Sequence, residues 1–216
     1  MHKRPSGPDN VPMLPHAFVY LASQSPRRVQ LLDQLGVPHR PLLPDPGEDV
    51  EALEQERSNE LPMDYVQRVA LLKLNAARAR LKRRRLPAAP ILCADTTVVV
   101  GRRILGKPLH DGQAAEMLRA LSGRTHRVLT AVVVSAGTQR HLLTSVSKVR
   151  FADLSETTIS RYIASGEPVG KAGAYAIQGR IAAWIEHIEG SHSGIMGLPL
   201  HETTTLLSRA RVRLEL

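Results

Sequence analysis

A chain of 216 residues, 43% hydrophobic and 23% charged, is long enough to bury a sizeable core as one compact domain rather than a string of modules. Aromatic residues make up only 3%, so the core must rest on Leu, Val, Ile and Ala, and platforms for stacking bases are scarce. The formal charge of +9 points towards anionic partners, while a single cysteine, Cys93, excludes an intrachain disulfide framework and a Cys-based zinc site.

Residues 1–15 contain no continuous apolar run and read as a disordered leader, leaving 16–216 as a single domain. No stretch approaches the roughly 20 apolar residues of a membrane span, and the lone thiol suits a reducing compartment, so the expectation is a soluble cytoplasmic protein.

In chain order, Ala17 to Ala22 is a short β-forming run that stops at Ser23-Gln24-Ser25-Pro26. There Ser25 can cap a helix and Pro26 can occupy its first turn. Val29, Leu32 and Leu35 give that helix a buried stripe, and Gly36 ends it. Pro41 to Asp49 is an acidic, Pro-rich connection. A long helix is predicted from Asp64 to about Arg85, terminated by Leu86-Pro87-Ala88-Ala89-Pro90. Ile91 to Val100 reads as a central strand interrupted at Asp95-Thr96-Thr97, followed by a turn into Ile104-Leu105. Asp111 can cap a helix through Leu121, and β-rich segments cover Val128 to Val134 and His141 to Phe151. Ser155 starts a helix that Gly166 ends. A Gly-rich loop spans Gly170 to Gly179, a strand is expected over Ile181 to Ile188, and a last helix follows Pro199.

Much of the positive charge lies in Arg78, Arg80, Lys82, Arg83, Arg84 and Arg85 at the end of the long helix, where cations complement the negative end of the dipole. A solvated helix end is the preferred reading there, with a polyanion site as the alternative.

Three segments carry chemistry. Ser23-Gln24-Ser25-Pro26-Arg27-Arg28 puts hydroxyls, free backbone N–H groups and two guanidiniums at a helix N-terminus, which makes an anion site. A dipole argument alone would place acids, not two arginines, in that turn. Asp95 stands among apolar neighbours at a strand position where an unpaired charge would be expensive, which favours a carboxylate that binds a divalent ion or activates water. Lys107, after the adjoining hairpin, could reach the same phosphates. Finally, Gly170 to Gly179 offers close backbone approach, Lys171 and the donor–acceptor amide of Gln178. The scattered histidines His126, His187, His192 and His201 read as core or surface residues rather than metal ligands.

Leu21 to Arg28, Ala94-Asp95-Thr96, Gly106-Lys107-Pro108, Leu121-Ser122-Gly123 with His126 and Thr130, and Gly173 to Gly179 together resemble the Maf family in order and spacing over about residues 17–210. The resemblance implies an α/β fold, with an elongated mixed sheet flanked by helices and a deep nucleotide-binding cleft like that of the inosine triphosphatases. It further implies a homodimer that hydrolyses nucleoside triphosphates between the α and β phosphates, using a divalent cation such as Mg²⁺ or Mn²⁺.

By the same resemblance Asp95 corresponds to the proton acceptor, and Arg27, Thr96 and Gln178 to positions tied to substrate choice. Ser23, Arg28, Lys73, Lys107 and Lys171 match polar positions of the cleft. Ala-Tyr-Ala-Ile-Gln-Gly is similar to the loop of the dTTP/UTP branch, whereas the branch acting on 7-methyl-GTP carries a different loop. Leu72 stands where the family usually has Glu, so a carboxylate is missing there, and the second metal ligand beside Asp95 stays open among Asp45, Glu48 and Asp49. A non-catalytic nucleic-acid or partner-binding regulator of cell division is the alternative from another class. The scarcity of aromatics and the lack of an RNP-like motif argue against sequence-specific nucleic-acid contact.

Overall fold

The computed structural model describes residues 16–214, so the leader expected at 1–15 lies outside the described residues. Among these, seven strands form one sheet: β1 (Val19–Leu21), β2 (His39–Pro41), β3 (Ile91–Val100), β4 (Arg103–Leu105), β5 (Thr125–Ala136), β6 (Gln139–Phe151) and β7 (Ile185–Glu189). Their spatial order is β2-β1-β3-β5-β6-β7, with β4 paired to β3 off that path. β1 runs parallel to β2 and β3 while the other pairs are antiparallel, so the sheet is mixed. Six helices flank it: α1 (Pro26–Gln34), α2 (Pro62–Arg83), α3 (Asp111–Leu121), α4 (Glu156–Ala164), α5 (His192–Met196) and α6 (Leu200–Arg209).

The near-continuous apolar run of β3 follows from burial on both faces. Ile91, Cys93 and Val99 pack with Val66, Val69 and Leu74 of α2, whereas Leu92 and Ala94 join Leu31 and Leu32 of α1 and Leu206 and Leu207 of α6. A third cluster gathers Val98 and Leu105 with Leu118 of α3 and Ile159 of α4. The two-residue period therefore sends Asp95 towards α2 and Thr96 towards α1 and α5.

Several expectations need correction. β3 is not interrupted at Asp95-Thr96-Thr97, because these residues pair in register with Ala131, Thr130 and Leu129 of β5 and keep the ladder whole. The strand expected from Ile181 begins at Ile185, after a 3₁₀ turn over Arg180–Trp184. Asp111 is the first residue of α3 rather than its cap; the Nδ1 of His110 accepts from the Gln113 N–H at 3.2 Å instead. Ser155 does cap α4, accepting from the Thr158 N–H at 3.1 Å, while Ser25 stands at the cap position of α1 without a capping bond from its side chain. β2 and α5 are too short to leave a periodic signal.

Candidate active site

The turn from β1 into α1 places Arg27 and Arg28 in the first helical turn, which contains no acid. Both guanidiniums are aimed by a distant segment: Arg27 Nε donates to the Met196 carbonyl at 3.1 Å and Arg28 Nε to the Gly197 carbonyl at 2.8 Å. These carbonyls are available because Gly197 closes α5 in the left-handed conformation, φ 115°. Arg28 also donates to Ser23 Oγ at 3.2 Å and Thr96 Oγ1 at 3.3 Å, and Thr130 Oγ1 donates to Thr96 Oγ1 at 3.0 Å. Burial lowers the pKa of both arginines, and for Arg28 the neighbouring Arg27 adds to that while Asp95 opposes it.

On the other side of β3, Asp95 is buried and accepts from Lys73 Nζ at 2.6 Å. Lys73, about three turns into α2, also donates to Glu54 Oε1 at 2.7 Å, and Lys107 Nζ lies 2.9 Å from Glu54 Oε2. Glu54 is positioned by a 3₁₀ turn (Ala52–Glu54) whose first N–H is capped by Asp49 Oδ1 at 2.9 Å. Its carbonyl accepts from the Tyr65 hydroxyl of α2 at 2.8 Å. Burial raises the pKa of Asp95 despite Lys73, so the carboxylate is more proton-avid than a free aspartate. Burial opposes the charge on Lys73 too, but two facing carboxylates outweigh it and raise its pKa; Glu54, flanked by two lysines, is lowered against its own burial.

The Gly-rich loop is fastened at three points. The Gly173 N–H donates to the Gly106 carbonyl at 3.0 Å, the Ala176 N–H donates to the Tyr162 hydroxyl at 3.2 Å, and the Tyr175 hydroxyl shares a 2.8 Å hydrogen bond with His126 Nε2. His126, Phe151 and Tyr175 stack edge to face with ring centres 5.0 to 5.4 Å apart. Gly173 sits at φ 67°, where an added Cβ would lie 2.9 Å from the Val98 side chain, and Ala174 is itself left-handed at φ 59°. Gln178 emerges from this anchored segment exposed, its amide making no hydrogen bond among the described residues.

Ser23, Arg27, Arg28, Lys73, Asp95, Thr96, Lys107, Lys171 and Gln178 all line one cavity of about 400 Å³, within the range of small-molecule sites. Glu51, Glu54 and Tyr65, which carry no signal in the sequence, also line it, as do Tyr175 of the loop and Arg80, which is buried and donates to the Leu42 carbonyl at 2.7 Å rather than standing on a solvated helix end. Of the acids considered as a partner for Asp95, Glu48 is held by Arg80 at 3.2 Å and by Arg83, Asp45 pairs with Arg83 and Arg84, and Asp49 caps the 3₁₀ turn. None of the three lines the cavity; the carboxylate that shares Lys73 with Asp95 is Glu54.

The arrangement couples a buried, proton-avid carboxylate to a set of cations and helix N-terminal N–H groups, which suits hydrolysis of a polyphosphate. Among the described residues no group of three or more His, Cys, Asp or Glu converges. Two carboxylates on one lysine still fit a hard divalent cation such as Mg²⁺, which takes one or two carboxylates and completes its shell with substrate phosphates and water.

The family model of Maf-like proteins matches residues 18–210, and the chain belongs to that family. Among its relatives, a protein of Polaromonas sp. named dTTP/UTP pyrophosphatase is 60% identical over 197 residues, covering 91% of this chain and 98% of the relative. Proteins of the same name from Albidiferax ferrireducens and Ralstonia nicotianae are each 60% identical, covering 88% and 93% of this chain and 95% and 97% of their own. No helix among the described residues is long and apolar enough to cross a membrane.

Proposed function

We propose that this chain hydrolyses dTTP and UTP to the nucleoside monophosphate and pyrophosphate. The observation that carries the reading is buried Asp95 within one cavity that also holds Arg27, Arg28, Lys73, Lys107 and Lys171; the printed names of the relatives supply the substrate. Asp95 accepts the proton of a water that attacks the α-phosphorus, the bond to the bridging oxygen breaks, and pyrophosphate leaves. Arg27, Arg28, Lys107 and Lys171 hold the phosphate oxygens with charge-assisted hydrogen bonds, and Ser23 adds a hydroxyl. Lys73 orients Asp95 and Glu54. Those two carboxylates would hold Mg²⁺ or Mn²⁺, which when bound supplies neutralisation of developing phosphate charge. Thr96, Arg27 and the free amide of Gln178 select the base.

The working unit in this reading is one catalytic domain over 16–216, assembled as a cytoplasmic homodimer. An unbroken sheet supports the single domain, the family resemblance supports the dimer, and the free buried Cys93 supports the compartment. The test is pyrophosphate release from a panel of canonical nucleotides and 7-methyl-GTP with Mg²⁺, Mn²⁺ or EDTA. Fastest turnover of dTTP and UTP supports the assignment; preference for a purine nucleotide, or no turnover of any, overturns it.

A further inference from the structure

A second concavity, an open groove of about 1350 Å³, lies at the Ile91 end of β3 and shares no lining residue with the catalytic cavity. Its walls come from the end of α2, the turn between β5 and β6, and the end of α6. Arg78, Lys82, Arg85, Arg209 and Arg211 line it together with His16, and no acidic, Phe, Tyr or Trp residue among the described residues does.

The cationic tail of α2 is thus divided. Arg80, Arg83 and Arg84 face the other way and are neutralised by Asp45 and Glu48. Arg78 donates to the Gly137 carbonyl at 3.1 Å, and Lys82 and Arg85 have no carboxylate partner among the described residues. Arg209 and Arg211, over a hundred residues further along the chain, converge on the same groove.

Helix dipoles account for a cation in a last turn, but not for Arg85 and Arg211, which stand beyond the helix ends. Each occupies the position where the chain reverses through paired hydrogen bonds. Leu86 N–H donates to the Leu81 carbonyl and Arg85 N–H to Lys82; Val212 N–H donates to Leu207 and Arg211 N–H to Ser208. That slot favours glycine, and α1 fills it with Gly36 at φ 61°. At the two helices that meet over the groove it holds arginine instead, at φ 51° and 53°, a conformation disfavoured for a side chain with a Cβ.

We infer that this groove is a docking site for the phosphodiester backbone of double-helical nucleic acid, bound without reading sequence. Five cations drawn from the ends of two helices match a row of phosphates, and the lack of Phe, Tyr or Trp among the described lining residues removes the stacking on which single-strand grooves depend. The inference is independent of the hydrolytic reading.

The experiment is fluorescence anisotropy of a labelled 24-base-pair DNA duplex against the full chain from about 50 to 200 mM salt. Five phosphate contacts give a slope of log affinity against log salt of about −4.5. Arg85→Gly with Arg211→Gly should bring it to about −2.7 and weaken binding at least tenfold at about 50 mM salt. Because glycine suits both positions, that variant should keep or raise its Tm and keep its rate on dTTP. Arg102→Gln with Arg103→Gln removes the same charge elsewhere and should leave the slope unchanged. No binding at the lowest salt, equal weakening by both pairs, a fall in Tm of the glycine variant, or equal competition by poly-glutamate would each overturn the site.

Discussion

Lys73 Nζ lies 2.6 Å from Asp95 Oδ1, and this pair joins α2 to the central strand inside the cavity. Asp95→Asn should lower kcat for dTTP by about 10²- to 10⁴-fold, the usual contribution of a general base, with the far-ultraviolet spectrum unchanged. A rate within about threefold of the parent would remove Asp95 from the chemistry. Lys73→Met leaves a buried carboxylate without its cation and should destabilise the fold by about 3–5 kcal/mol in urea titration. Combining the two substitutions should recover part of that loss, since the stranded charge is then gone.

Base choice should follow Gln178, whose amide is free among the described residues. Gln178→Ala should lower the ratio of kcat/KM for dTTP over dGTP by more than the effect of a lost methylene, which is worth about 1–3 kcal/mol. An unchanged ratio, measured on both substrates under the same conditions, would reassign the segment to holding phosphate.

His126 gives the protein a stability that depends on pH. Burial lowers its pKa from 6.5 to about 4, so between these values the unfolded chain takes up a proton that the folded chain refuses. Stability is therefore complete above about pH 6.5 and falls as pH drops towards 4, by about 3 kcal/mol over the whole window. His126→Gln should flatten the dependence of Tm on pH across this range relative to the parent; equal slopes in both proteins would refute the assignment.

The glycine beside Val98 offers a test of loop placement. Gly173→Ala would force a Cβ to within 2.9 Å of the Val98 side chain at a left-handed φ. The expected cost is about 1–3 kcal/mol in stability, together with a raised KM for dTTP. The Val98 Cβ stands at 2.9 Å along with its Cγ1, so Val98→Ala in the same chain should restore KM only in part if the clash is the cause.

Much of the site could be read from the sequence because it rests on local grammar. A strand, a polar turn, Pro26 and two arginines define an anion-binding helix start, and Asp95 is conspicuous among Leu92, Cys93, Val98 and Val99. Glu54 was not legible: its place depends on a 3₁₀ turn folded back onto α2 by the Tyr65 hydroxyl, a contact with no periodic trace. The same holds for the aim of Arg27 and Arg28, set by carbonyls 169 residues away on α5, and for the partition of the cationic tail of α2, set by which side Asp45 and Glu48 occupy. The unbroken course of β3 is not legible either, because polar residues read as a break until a neighbouring strand supplies their ladder partners.

The tie between Arg28 and the Gly197 carbonyl also bears on the order of events during synthesis. β1 needs β3 for pairing, and the two arginines that follow β1 need a turn made almost two hundred positions after the start. A nascent chain can assemble the central sheet and the Lys73–Asp95 pair while its arginines still lack their carbonyl stops. The phosphate cradle is thus the last part of the cavity to take shape, and a chain stalled on the ribosome before residue 197 emerges would have its guanidiniums unaimed and the α1 side of its sheet still uncovered by Leu206 and Leu207.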